Sequence, residues 1–143
     1  MKEFLEKWFE EVWAKENASY IKKVFVPEKG GSATGIGKES GTSPEEYVHF
    51  HSVMLGLLKD VEIKVDSRIE SGNEIAAQCT MTAKDRATGK KTISIKGAVF
   101  GKIVDGKIKH ADNHFDFLHL FEGLGLLPEE TFAKCLSGQK VCK

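Results

Sequence analysis

The stretch DVEIKVDSRIE, residues 60–70, is where the hydrophobic pattern of the chain changes from a helical period to a period of two. Apolar residues at Val61, Ile63, Val65 and Ile69 alternate with charged or polar ones, which is typical of a strand with one buried face. Helical patterns precede this stretch and strand patterns follow it. This segregation predicts an α+β fold.

Three helices are predicted upstream of the strand pattern. Apolar residues at helical spacing indicate an N-terminal helix of about three to four turns and a short second helix. Ser43 as N-cap, Pro44 at the first helical position and Glu46 three residues after the cap predict a third helix. It should reach about Lys59. The Gly-rich residues Gly30–Gly41 before it lack the full phosphate-loop pattern, so we expect a long surface loop there.

Downstream, turn signals at residues 71–73, 87–90 and 105–106 separate further strands. Together with the first strand they form a long antiparallel meander of about four strands, and three helices can cover only one of its faces. We therefore predict a cone-shaped (cystatin-like) curved sheet wrapped on the N-terminal helices, with a ligand pocket at the open end. Residues 1–143 are expected to form a single domain in which residues 136–143 are a loose tail.

The composition argues against several classes of function. Lys plus Arg and Asp plus Glu both number 21, so the formal net charge is zero, and nucleic acid is not an expected partner because phosphate binding needs clustered positive charge. The longest apolar runs are far shorter than the roughly 18 residues that a membrane span needs. The N-terminal charges are interleaved with apolar residues, without a signal-peptide core, so we expect a cytoplasmic location. The cysteines favour reduced, structural roles; they are Cys79, Cys135 and Cys142.

The last predicted strand lies in KIKHADNHFDF, residues 107–117, and carries titratable side chains at alternate positions. Because successive side chains of a strand point to opposite faces, these side chains share one face. The His/Asp row, as we call them, consists of His110, Asp112, His114 and Asp116. The opposite face is mostly apolar and carries Ala111, Asn113, Phe115 and Phe117. Imidazoles and carboxylates in a row can pass protons or hold a polar ligand, so we expect the row to form a wall of the pocket.

Three stretches of the chain resemble a known family. They are the segment from Val12-Trp13 to Phe25, the turn Thr88-Gly89-Lys90-Lys91 with its strand to Gly97, and the ending formed by Asp105–Ile108, His114–Leu118 and Leu124–Pro128. Their order and spacing are similar to those of the SnoaL-like polyketide cyclases, within the nuclear transport factor 2-like superfamily. The resemblance implies a cone-shaped α+β barrel, commonly a homodimer, with a small-molecule pocket and with no metal or organic cofactor.

In the family's cyclases, an Asp at the position that matches Asp116 acts as acid and base in an intramolecular aldol closure. The chain departs from the family in two places. Asp112 stands where Trp is typical, and Thr82-Ala83-Lys84-Asp85 replaces a Thr-His-Thr-Gly segment. These departures predict a pocket more polar than that of a typical member, and they disfavour a large flat polyketide as the substrate.

Asp116 has two interpretations. A carboxylic acid in a half-closed apolar pocket keeps a proton more readily, because desolvation disfavours the charge, and it can exchange that proton with a carbonyl compound. Alternatively, Asp116 caps the short helix that starts at Phe117. Asp112 next to it suggests a carboxylate pair, with His114 or His110 stabilising the ionised member. The alternative is a hydrated polar network, which we favour for His110.

The first and third helices supply candidate substrate contacts, which are His51, Tyr47, Trp13 and Met54. Tyr47 can donate its hydroxyl to a ligand or can equally belong to the core with its hydroxyl at the rim. His51 can point into the cone, but a lone His on an apolar face is more often a core residue with a satisfied hydrogen bond. A metal held by the His/Asp row and His51 is less favoured. Residues i and i+2 of a strand lie roughly 6.5–7 Å apart, so a straight row cannot surround one ion.

The His/Asp row and the family resemblance together favour a small enzyme of the cyclase, isomerase or dehydratase type that acts on a carbonyl-bearing molecule and, as the resemblance implies, uses no cofactor. Asp116 is then the acid and base, with His114 and Asp112 setting its protonation and His51 or Tyr47 orienting the substrate. Two alternatives stay open. One is a non-catalytic module that binds a small ligand, and the other is a dimeric interaction domain whose polar row is only a hydrated cavity.

Overall fold

The computed structural model describes residues 3–27, 33–34 and 43–142. The helices in these ranges are α1 (Phe4–Phe9), which continues as a π-helical turn (Glu10–Ala14), α2 (Ala18–Val24), α3 (Pro44–Leu57), α4 (Phe117–Gly123) and α5 (Thr131–Leu136). The strands are β1 (Ala33–Thr34), β2 (Leu58–Ser71), β3 (Glu74–Asp85), β4 (Thr92–Val104) and β5 (Lys107–Phe115).

The strands form one sheet in the order β1-β5-β4-β3-β2. Strands β2 to β5 are an antiparallel meander, and the two residues of β1 pair with β5 in parallel. The predicted α+β fold, with helices first and a meander of four long strands after them, is confirmed. Apart from β1, the predicted loop Gly30–Gly41 lies outside the described residues. The single-domain assignment and the loose tail stay predictions.

The junction between helices and sheet depends on a few side-chain hydrogen bonds. The Ser43 Oγ accepts a hydrogen bond from the backbone N–H of Glu46 at 3.2 Å, which is the predicted cap of α3. At the other end, α3 passes directly into β2. Arg86 holds this point, because its Nε donates to the Leu58 carbonyl at 2.8 Å and its Nη2 reaches both carboxylate oxygens of Glu16 at 2.8 Å. The end of the N-terminal helical segment is thereby tied to the sheet.

The helices bury their apolar side chains on one face of the sheet, which we call the inner face. On β3 this face is made of Ile75, Ala77, Cys79, Met81 and Ala83, which are buried, while the residues between them are partly or fully exposed. The α1 segment contributes side chains that are at most 7% exposed, namely Leu5, Trp8, Phe9, Val12 and Trp13. Each such burial contributes roughly 1.5–3 kcal/mol. Burial also raises the pKa of the Cys79 thiol to about 11, so this cysteine is an unreactive core group.

No helix among the described residues is both long enough and apolar enough to cross a membrane.

Gly97 of β4 permits a close approach on the inner face. A Cβ added at this position would lie 2.3 to 2.6 Å from ring atoms of Phe115, which is its paired residue on β5. The Phe115 ring can therefore lie across β4 only because residue 97 has no side chain.

Replacing Gly97 by Ala should lower the free energy of unfolding by about 1–3 kcal/mol, because the new Cβ must displace the Phe115 ring. Urea denaturation followed by circular dichroism measures this change. Gly101→Ala on the same strand is the matched control, since the nearest atom to its added Cβ is 3.5 Å away. Equal losses of stability in the two variants would contradict the proposed clash.

Candidate functional site

A cavity lies between the N-terminal helices and the inner face of the sheet. It has two adjoining parts, with empty volumes of about 500 Å³ and about 550 Å³ measured out to solvent. The two parts have wall residues in common, which are Trp8, Phe9, Tyr47 and Asn113. We call the whole space the inner cavity.

The walls of the inner cavity are apolar and largely aromatic. A chain of ring contacts runs through them, with centroid distances of 5.9 Å for Trp8–Tyr47, 6.0 Å for Tyr47–Phe50 and 6.2 Å for Phe50–Phe117. Among the described residues that line the cavity, none carries an acidic or basic side chain. The predicted polar pocket is therefore wrong for the part of the wall that the structure describes.

The Tyr47 hydroxyl is one of two oxygen-bearing side-chain groups in the described part of this wall. A hydrogen bond joins it to the side chain of Trp13, and because an indole N–H can only donate, the Tyr47 oxygen is the acceptor. Burial raises the pKa of Tyr47, and the hydrogen bond from Trp13 opposes this shift, so the hydroxyl stays protonated at neutral pH. Within the described ranges its own proton has no acceptor, which leaves it available to a ligand.

Asn113 is the second oxygen-bearing group. It lies on β5 opposite Val99 of β4, is half-buried, and lines both parts of the inner cavity. Its amide makes no hydrogen bond to any other residue that the structure describes. Among the described residues, no buried side-chain nitrogen or oxygen lacks a hydrogen-bond partner, so the unpaired amide is accessible from the cavity. A sequence signal exists, since Asn113 is the one polar residue in the alternating set Ala111, Asn113, Phe115 and Phe117, but the alternation alone assigns it no role.

The prediction that the His/Asp row forms a wall of the pocket is wrong. The row does share one face, since the His110 Nε2 donates to the Asp112 Oδ2 at 3.3 Å. This face is the outer one, however: the inner cavity is lined by Ala111, Asn113 and Phe115 of β5, the residues that alternate with Asp112 and His114. The physical reason is that the apolar face of β5 gains free energy by burial against the helices, whereas the ionisable face stays hydrated.

The outer face has a groove of its own, with an empty volume of about 650 Å³ measured out to solvent. His110 and Asp112 line it next to Phe100 and Ile69, which are 49% and 75% exposed. The side chains of the His110–Asp112 pair are themselves 42% and 36% exposed, so water screens their interaction and it adds little stability. The sheet separates Asp112 and His114 from the inner cavity, and they are not positioned to control the protonation of a group inside it.

Asp116 is the N-cap of α4. Its Oδ1 accepts a hydrogen bond from the backbone N–H of His119 at 3.0 Å, and its side chain is exposed. Its neighbours Phe115 and Phe117 line the second part of the inner cavity, so the main chain of Asp116 lies beside the cavity although the carboxylate does not line it. Capping accounts for the observed geometry, and the acid–base role stays a prediction.

His51 is a core histidine whose hydrogen bond is satisfied. It is 2% exposed, and its Nε2 donates to the Val12 carbonyl at 2.6 Å. That carbonyl lies in the last turn of the N-terminal helical segment, where carbonyl groups lack helical partners. Of the predicted substrate contacts, Trp13, Tyr47 and Met54 line the inner cavity, and His51 does not.

The alternative prediction of a metal site required His51 and the His/Asp row to lie close together. They lie on opposite sides of the sheet, so they cannot bind one ion together. Within residues 3–27, 33–34 and 43–142, no group of three or more His, Cys, Asp or Glu side chains is placed to hold a metal.

Comparison with known proteins identifies the architecture. No protein-family model and no curated protein matches the sequence, but solved structures do. A candidate SnoaL-like polyketide cyclase from Jannaschia sp. CCS1 has a TM-score of 0.70 at 15% identity, over 88% of this chain and 92% of that one. AclR, a candidate hydroxylase from Streptomyces galilaeus, has a TM-score of 0.67 at 22% identity, over 82% and 90%. A Catenulispora acidiphila protein with a ketosteroid isomerase-like fold has a TM-score of 0.69 at 11% identity, over 86% and 92%.

The chain has the SnoaL-like, nuclear transport factor 2-like fold. The predicted cone-shaped sheet on N-terminal helices is thereby confirmed. At these identities the match shows the fold alone, and the structures that share it include a candidate cyclase and a candidate hydroxylase. A SnoaL-like fold therefore leaves the chemistry to be argued from the inner cavity.

Replacing Asp116 by Ala should lower the free energy of unfolding by about 1 kcal/mol, because the cap on the His119 N–H is lost. Asp116→Asn should change it by only a few tenths of a kcal/mol, roughly, since an Asn oxygen caps equally well. Ser43→Ala, which removes the equivalent cap of α3, is a positive control of similar size. Urea denaturation measures all three variants, and an Asn variant as unstable as the Ala variant would rule out the capping role.

Replacing His51 by Leu should lower the free energy of unfolding by about 1–3 kcal/mol, because the buried Val12 carbonyl loses its donor. His49→Leu is the matched control, since His49 is exposed on the same helix and a surface change should cost no more than about 0.5 kcal/mol. Thermal and urea denaturation measure both variants. A His51→Leu protein as stable as the control would show that this hydrogen bond does not stabilise the fold.

Proposed function

We propose that the chain binds a largely apolar, uncharged small organic molecule in the inner cavity. The observation that carries this proposal is the chemistry of the wall, in which the described residues are aromatic and aliphatic, with no acidic or basic side chain. A charged ligand would lose its hydration in this cavity without gaining an ion pair. This desolvation costs roughly several kcal/mol. A neutral ligand gains free energy from the apolar area that it buries.

The rigidity of the wall supports the same proposal. The ring contacts from Trp8 to Phe117 and the close packing of Phe115 on Gly97 hold the aromatic side chains in place. A preformed wall lowers the entropy that is lost when a ligand binds. Aromatic ligands gain in addition from edge-to-face and offset contacts with such rings.

Binding of benzophenone, a neutral two-ring ketone, tests the proposal against its charged analogue 4-benzoylbenzoate. We expect benzophenone to quench the fluorescence of Trp8 and Trp13, which line the cavity. The carboxylate should bind at least about ten-fold more weakly, because its charge must be desolvated. Equal affinities for the two probes would contradict the proposal.

A pair of alanine substitutions locates the bound probe. Ala111 lines the first part of the inner cavity, so Ala111→Leu should fill space and weaken benzophenone binding. Ala98 pairs with His114 on the outer face, so Ala98→Leu is the matched control and should leave the affinity unchanged. Equal effects of the two variants would place the probe outside the cavity.

A second candidate function is cofactor-independent acid–base chemistry by Asp116 on a bound carbonyl compound, as a cyclase, isomerase or dehydratase. Two observations favour it: the neighbours of Asp116 in the chain, Phe115 and Phe117, line the inner cavity, and the chain ending resembles that of the SnoaL-like cyclases.

Asp116→Asn is the informative variant for this second function, because it keeps the cap and removes the acid. A loss of turnover of about 100-fold or more without a loss of stability would support this function, and full activity would contradict it. His114→Ala on the outer face is the control.

Two further expectations stay predictions. Formation of a homodimer is implied by the family resemblance, and the exposed Phe100 and Ile69 side chains of the outer face are compatible with contact between two copies. Sedimentation analysis tests it. The cytoplasmic location is likewise untested.

A further inference from the structure

We infer that Asn113 is the specificity-determining residue of the inner cavity and that, together with Tyr47, it binds the oxygen of a ketone-type ligand. This inference rests on the proposed function and names the chemistry of the ligand: an uncharged carbonyl oxygen with apolar groups on both sides of it.

The position of the two residues determines where the ligand oxygen lies. Both Asn113 and Tyr47 belong to the walls of the first and the second part of the inner cavity, so they stand where the two parts meet. Beyond them, each part is lined by apolar side chains, such as Ile103 and Ile108 in the first part and Phe50 in the second. A ligand that fills both parts therefore has its polar atom in the middle of an apolar skeleton.

The hydrogen-bond donors that Tyr47 and Asn113 still offer determine which type of ligand oxygen can bind between them. The Tyr47 oxygen accepts a hydrogen bond from Trp13, and the Tyr47 O–H can still donate one to a ligand. The Asn113 amide offers two N–H donors and one acceptor, none of them bonded within the described part of the chain. A carbonyl oxygen has two lone pairs and accepts from both residues at once. A ligand of the same shape without an oxygen leaves both donors dehydrated and unpaired, and it is disfavoured for that reason.

The side chain of Asn113 is not needed to hold the strand. β5 is attached to β4 through the backbone pairing of residue 113 with Val99, and the amide itself bonds to no described residue. An apolar residue would suit the surrounding wall better, because it would have no polar group to desolvate. The position of the Asn113 amide in the cavity wall therefore fits contact with a ligand, whereas no hydrogen bond within the described residues requires an amide there.

A matched pair of probes tests the inference: benzophenone and 1,1-diphenylethylene, in which a CH₂ group replaces the carbonyl oxygen. Titration calorimetry gives both affinities for the native protein, for Asn113→Leu and for Met54→Leu, which alters the same wall without touching a polar group. We expect the native protein to prefer the ketone about ten-fold, Met54→Leu to keep this preference, and Asn113→Leu to reduce it to about three-fold or less. The Asn113→Leu variant should be at least as stable as the native protein, since no hydrogen bond of the fold is lost.

Infrared spectroscopy of the bound ketone measures the carbonyl stretching frequency, which responds to hydrogen bonds on the oxygen and not to a change in packing alone. The carbonyl stretch of benzophenone should shift to lower frequency in the native protein and in Met54→Leu, and part of that shift should disappear in Asn113→Leu. If both probes bind the native protein equally well, the inference is overturned and the proposed function survives. If neither probe binds, the proposed function fails and the inference fails with it.

Discussion

Burial of one face of the meander under the N-terminal helices is the constraint on which the rest of this structure depends. A strand cannot turn one side chain inward without turning its neighbour outward, so β5 from Ala111 to Phe115, beyond the register shift in its pairing with β4, is oriented by the face that packs against the helices. Phe115 is drawn inward, and Gly97 leaves room for its ring. The same choice of face carries Asn113 into the cavity wall and Asp112 to the other side of the sheet.

The sheet consequently separates two kinds of chemistry. The inner side is apolar and, in the described residues, without charge; its polar groups include the donors of Tyr47 and Asn113, held among aromatic rings. The outer side carries histidines and carboxylates in contact with water, where an ion pair such as His110–Asp112 is screened. A neutral donor in an apolar wall discriminates between ligands better than an ion pair in water does, because a donor that a bound ligand covers and leaves unpaired is costly.

Asp116 lies where these two sides meet, at the point where the strand stops. The alternation of β5 ends at Phe115, and α4 begins at Phe117. Residue 116 therefore no longer follows the strand pattern, and its carboxylate bonds to the N–H of His119 at the start of the helix. This arrangement gives the side chain a structural role and leaves it next to a cavity that it does not line.

Local patterns in the sequence were sufficient for the main helices and strands, because caps, turns and hydrophobic periods act over a few residues. Ser43 caps α3 as its sequence indicated, and the change of period after Asp60 lies within three residues of the passage from α3 to β2, which the structure places at Leu57–Leu58. Alternation likewise determined which residues of β5 share a face. Only the tertiary structure decided which of those faces is buried, since that depends on the free energy gained by the whole apolar surface of helices and sheet. The partners of single side chains were decided at the same level: the bond of His51 to the Val12 carbonyl joins residues far apart in the chain, and no local pattern encodes it.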